Sequence, residues 1–167
     1  MGCDTDMIRT LNGLLETLLG QHEQLSELAR AKKDALMGND VGKLTEITAK
    51  ESKLIRQIEE TEARRIEVTK ALLKQIGLPE HATLQELIRG LTQEADKRSL
   101  RELAERLGAV VKELKRLNDL NMTLLKQAKD FNDFSLDLLT GGNEADYIYG
   151  NPAAANVRRY QIFDSRT

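Results

Sequence analysis

The chain has no tryptophan, and aromatic residues of all kinds make up only 4% of its 167 residues. Any core must therefore be built from Leu, Ile, Val and Ala rather than from large rings. A single cysteine, Cys3, excludes an internal disulfide and suits a reducing cytosol. The two histidines, His22 and His81, fall on different segments, and neither heads a metal-ligand spacing. Glu-x-x-His is absent, which argues against a di-iron bundle, and so is the Cys-x-x-Cys of many zinc sites. Gly141-Gly142 lacks the following Lys-Ser/Thr of a phosphate loop, and Cys3 has no base beside it. The many carboxylates alternate with Lys and Arg at helix-surface spacing, the pattern of solvated ion pairs. No catalytic, cofactor-binding or metal-binding residue is assigned, and the chain reads as a non-enzyme.

Charge of one sign is also scarce. Lys and Arg total 25 against 27 Asp and Glu, a net charge of −2. A nucleic-acid domain is expected to carry a clustered basic patch. Here Arg64-Arg65 and Lys97-Arg98 sit among acids and read as solvated faces. No apolar run approaches the ~20 residues of a spanning helix, so neither membrane insertion nor a signal peptide is expected. Met1-Gly2-Cys3 invites a lipidation reading, but position 6 is Asp6 where the myristoylation pattern takes Ser or Thr. No lipobox-like stretch precedes Cys3 either, which leaves a free terminus carrying an idle thiol.

What is present is helix. Only Pro79 and Pro152 interrupt the chain, and 40% hydrophobic with 31% charged residues suits long amphipathic helices. Ile8, Leu11, Leu15, Leu18, His22, Leu25, Ala29, Lys32 and Leu36 recur at alternating three- and four-residue steps, broken in character only by His22 and Lys32. This predicts a first helix over roughly Thr5 to Met37, about 50 Å long at 1.5 Å per residue. Gly38 and Asn39 stop it, and Asn39 or Asp40 can cap the next. The second helix runs from about Val41 to Ile76 on Leu44, Ile47, Leu54, Ile58, Val68, Leu72 and Ile76, interrupted by Glu51, Thr61 and Arg65. Its charged middle, Glu59 to Arg65, reads as solvated surface. Two helices of like length joined by a few residues make an antiparallel hairpin.

Gly77-Leu78-Pro79 breaks the pattern, and Thr83-x-x-Glu86 has the form of a capping box. A short helix on Leu84, Leu87, Ile88 and Leu91 is expected to end near Asp96. Leu100, Leu103, Leu107, Val110, Leu114, Leu117, Asn121, Leu124, Ala128, Phe131, Ser135 and Leu138 then keep the same spacing over more than five heptads, a signature of coiled-coil-like packing. Asn121 on that seam either is buried and fixes register or faces solvent. His22 reads as a semi-buried residue with a water or backbone partner. Gly141-Gly142 should end the helix. Residues 143–167 hold all three tyrosines with no evident period. They read as an irregular, flexible tail, either a short recognition element that orders on binding or a patch over the bundle. The expected fold is all-α: a long antiparallel hairpin and coiled-coil-like bundle of three long helices and one short one, as a single domain over 1–142 with a tail over 143–167. Three apolar stripes in a chain without chemistry point to binding of helical partners or to self-association.

The chain also resembles the FlgN family. The resemblance rests on Leu14-Leu15-Glu16 and Leu18, on Gln21 to Leu25, on Lys32 to Leu36, and on the hinge Met37-Gly38-Asn39-Asp40 with Leu44. Glu51-Ser52-Lys53-Leu54 and Glu62-Ala63-Arg64-Arg65 resemble the family's second helix. The most specific match is Leu117-Asn118-Asp119-Leu120-Asn121-Met122-Thr123-Leu124-Leu125, a paired Asn before a double Leu, followed by Tyr149-Gly150. Residues 151–167 match no family pattern. The resemblance implies a cytoplasmic chaperone for hook–filament junction proteins (hook-associated proteins), which caps their C-terminal helices and brings them to the flagellar type III export gate without nucleotide or metal. On that basis client binding is expected at Leu117, Asn121, Leu124, Leu125, Ala128 and Phe131. Docking to the gate is expected at Tyr147, Ile148 and Tyr149. Two other readings stay open: a structural coiled-coil adaptor that dimerises through the 100–138 seam, and a chaperone for another appendage or secretion substrate.

Overall fold

The computed structural model describes residues 2–140. Residues 141–167, with the expected tail and the helix-ending Gly141-Gly142, lie outside the described residues. Among the described residues four helices follow one another: α1 (Gly2–Met37), α2 (Val41–Gln75), α3 (Leu84–Gly90) and α4 (Glu94–Leu139). No strand occurs among the described residues. The all-α expectation of three long helices and one short one is met.

Local chemistry explains each junction. At the end of α1, Asn39 takes a left-handed φ of 50°, which Asn tolerates better than most residues. The Asp40 amide then reaches back to Ala35 O at 2.9 Å, and that of Asn39 to Leu36 O at 3.2 Å. Of the two candidate caps, Asp40 serves: its carboxylate accepts from the Lys43 amide at 2.9 Å. The end of α2 repeats the device with Gly77 at φ 76° and the Leu78 amide donating to Leu73 O at 2.9 Å. The capping box is formed. The Glu86 amide donates to Thr83 Oγ1 at 3.2 Å, and the Thr83 amide donates to Glu86 Oε2 at 2.6 Å.

Two boundaries differ from expectation. The first helix begins at Gly2 rather than near Thr5, so Cys3 lies in its first turn and not in a free terminus. The short helix stops at Gly90 rather than near Asp96, and α4 begins six residues' worth of pattern earlier than its first seam leucine, at Glu94. Leu91 leaves the helix in an extended conformation (φ −68°, ψ 153°) and buries its side chain. Gly90 permits this crossing, since a Cβ there would lie 3.1 Å from Ile76 Cδ1 and 3.3 Å from Leu78 Cδ1. Glu94 and Asp96 in the first turn of α4 suit the positive end of its dipole.

The described residues form two units, one through Asp130 and the other beginning at Phe131. In the first, α1 and α2 lie antiparallel: Lys32 meets Glu51, and Gln21 meets Thr61. The helix α4 runs parallel to α1, with Ser99 Oγ donating to Asn12 Oδ1 at 3.1 Å and Asn121 Nδ2 donating to Ala29 O at 2.8 Å. The main core gathers Leu11, Leu15 and Leu18 of α1, Leu72 and Leu73 of α2, Leu87 of α3 and Leu100 of α4, all buried almost completely. Each such leucine contributes about 1.5–3 kcal/mol on burial. Leucine thus fills the place of the missing rings. The described aromatics, Phe131 and Phe134, are both exposed. In the second unit the end of α4 exposes Phe131, Phe134, Leu136, Leu138 and Leu139.

Candidate helix-binding groove

The core is unevenly supplied along the first unit. At the end where α3 packs, four helices contribute to the buried cluster. Toward the α1–α2 turn only α1, α2 and α4 remain, and the buried cluster thins to Ala29, Leu114 and Leu117, with Leu25 against it. A groove opens here, lined by Leu25, Lys32, Leu36, Leu44, Glu51, Ile55, Asn118, Asn121, Met122 and Leu125. Ile55, Met122 and Leu125 are exposed on its walls.

The two charges in the groove answer each other. Lys32 Nζ donates to Glu51 Oε2 at 2.6 Å, with the side chains 25% and 12% exposed. A second interruption of the α2 stripe is also matched, because Gln21 Nε2 donates to the buried Thr61 Oγ1 at 3.1 Å. Of the stretch expected to be solvated, Glu59, Glu60, Ala63 and Arg64 are exposed, whereas Thr61 is buried and Glu62 and Arg65 are half-buried, with Arg65 paired to Glu62 one turn back. That contact, chiefly the hydrogen bonding of the guanidinium to the Glu62 carboxylate, holds the Arg65 guanidinium above its ordinary value. Elsewhere Glu46, Glu94 and Glu113 titrate below the usual carboxylate range because Lys50, Lys97 and Arg116 donate hydrogen bonds to them. These pairs are exposed and belong to the solvated surface.

The expected client-binding residues divide. Leu117 and Asn121 are buried against α1, where Asn121 reaches the Ala29 carbonyl. The buried alternative for Asn121 is the one realised. Leu124 and Ala128 are half-buried, Leu125 is exposed on the groove wall, and Phe131 is exposed in the second unit. Tyr147, Ile148 and Tyr149 lie outside the described residues. The groove also recruits residues not singled out for binding: Lys32, Glu51, Ile55 and Met122. Their signal was faint. Lys32 and Glu51 register in the sequence only as interruptions of two stripes, and they become partners once the hairpin turn is fixed.

His22 Nδ1 donates to Leu18 O at 2.8 Å, the expected backbone partner for a half-buried ring. Among the described residues no group of three His, Cys, Asp or Glu side chains is placed to hold a metal ion. No described helix is long and apolar enough to cross a membrane.

Fold and groove together define an all-α helical bundle with an open, partly apolar groove. The comparisons with known proteins agree with that class. The FlgN protein family matches residues 7–156. A Bacillus subtilis (strain 168) protein described as uncharacterized protein YvyG is 32% identical over 155 residues, covering 91% of this chain and 94% of that one. No solved structure matches the chain significantly. The chain belongs to the FlgN family, which is a family of flagellar export chaperones and not of enzymes, and its partners are accordingly sought among flagellar proteins.

Proposed function

We propose that this protein is a cytoplasmic type III export chaperone. It binds the C-terminal helices of hook–filament junction proteins, keeps them from assembling early and delivers them to the flagellar export gate. The observation that supports this most is the three-helix end of the bundle, whose apolar walls leave one side open in a chain of the FlgN family. A client helix laid there would supply the missing fourth element and bury its own apolar face. In this reading the client contacts Leu124, Leu125 and Ala128 of α4, while Leu117 and Asn121 support that face from within.

Isothermal titration against the C-terminal helical fragment of the hook–filament junction protein of the same organism tests the proposal. One-to-one binding is expected, abolished by the pair Leu124→Asp and Leu125→Asp with helicity retained. Leu125→Asp alone, at an exposed position, should weaken binding strongly without touching the core. Unchanged binding by both variants would remove α4 from the client site. Gate docking is assigned to Tyr147, Ile148 and Tyr149. A chain ending at Thr140 should bind the client fragment normally and lose the export gate, and retained gate binding would refute that assignment.

A second reading is a homodimeric coiled-coil scaffold. The exposed Phe131, Phe134 and Leu138 at the end of α4 favour it. It requires a concentration-dependent dimer in light scattering and no titration with the client fragment.

A further inference from the structure

We infer that the apolar stripe at the end of α4 docks a segment of this same chain, residues 157–163.

Phe131, Phe134 and Leu138 stand at i, i+3 and i+7 on one face of the helix, and each is more than half exposed. An exposed stripe of this spacing is a docking surface for another segment. Asp133 and Asp137 run along one edge of it, both exposed and four residues apart, so like charges sit on adjacent turns. Residues 131–139 contain no Lys or Arg. The fitting occupant is therefore apolar and basic. A second copy of the stripe fails on that count, because it would bring two more carboxylates to the same place and no cation.

The residues after α4 offer two apolar segments, and their charges separate them. Tyr147, Ile148 and Tyr149 follow Glu144 and Asp146, which repel the acidic edge. Val157, Tyr160, Ile162 and Phe163 instead flank Arg158 and Arg159, with no acid among them. The next two charges, Asp164 and Arg166, cancel. Two guanidiniums set against two carboxylates neutralise the edge, and the apolar side chains meet the stripe. This segment also lies past residue 156, where the match to the family ends.

The connection is long enough. Residues 140–156 join the two segments and can span up to about 55 Å when extended. The stripe itself measures about 10 Å along the helix. A tethered segment meets its site at an effective concentration of about a millimolar, so a contact too weak between separate chains is populated within one. Held there, residues 157–163 keep the stripe from other chains until they are displaced.

Amide hydrogen exchange over residues 131–139, measured on the full chain, tests the contact through a charge-reversal cycle. One variant carries Arg158→Glu with Arg159→Glu, a second Asp133→Arg with Asp137→Arg, and a third all four changes. The third is expected to exchange about tenfold more slowly than the sum of the two separate reversals predicts. Effects of either reversal on the helix itself cancel in that comparison. In parallel, 4-benzoylphenylalanine in place of Phe134 is irradiated in an equal mixture of isotope-labelled and unlabelled chains. A cross-link to 157–163 within one chain is expected. Additive exchange effects would refute the contact. So would a cross-link to 144–149, to any other part of the chain, or between labelled and unlabelled chains.

Discussion

Lys32 and Glu51 show how a pair of charges can be inserted into a helical seam. Each alone would be an expense in a half-buried position, and together they close at 2.6 Å across the hairpin. Glu51→Ala leaves a largely desolvated ammonium without its counter-charge. Breaking a fully buried pair in this way costs about 3–5 kcal/mol, and since Lys32 keeps a quarter of its exposure the expected loss is roughly 1–2 kcal/mol. Replacing both, Lys32→Met with Glu51→Leu, should be neutral or stabilising. Urea denaturation of the two variants distinguishes these outcomes, and equal loss in both would show that the pair contributes packing rather than charge. This site was only half legible beforehand. A stripe reveals that a residue breaks the apolar pattern, but which other break lies opposite depends on the register of the turn. Asn121 was legible as a seam position for the same reason that its burial was not: its side chain could turn either way until α1 was set against α4.

At the scale of elements the signals were local and strong. Asn39, Asp40, Gly77 and the Thr83–Glu86 box end or begin helices by hydrogen bonds that span a few residues, and all are recognisable in the chain. The break between α3 and α4 was not, because Leu91 stays in phase with the short helix and leaves it only to fill a space made by other elements. The capping box also carries a pH dependence. Glu86 titrates below the usual carboxylate range, first because the Thr83 amide donates to it and next because the Thr83 hydroxyl does. Its folded value lies below its unfolded one of about 4.3. The contribution is therefore complete above the unfolded value and lost as pH falls through the folded one. Glu86→Gln should be less stable than the parent at neutral pH and should show a shallower acid decline. Parallel acid profiles, measured by circular dichroism in urea, would exclude this role for the box.

At the scale of the whole molecule, helix content and number were readable because 3.6-residue periodicity survives in long segments. The uneven core was not. Periodicity tells which face of a helix is apolar, not how many neighbours share that face, so the four-helix and three-helix ends of the first unit look alike in sequence. Chain closure adds a further asymmetry. The Lys32–Glu51 contact joins residues 19 apart, whereas Asn121–Ala29 joins residues 92 apart. The longer loop costs about 1.4 kcal/mol more to close. A single neutral hydrogen bond returns about 0.5–1.5 kcal/mol. Leu114 and Leu117, buried beside that contact, return about 1.5–3 kcal/mol each, so the parallel return of α4 is fastened by packing and the hydrogen bond at Ala29 serves to fix its register.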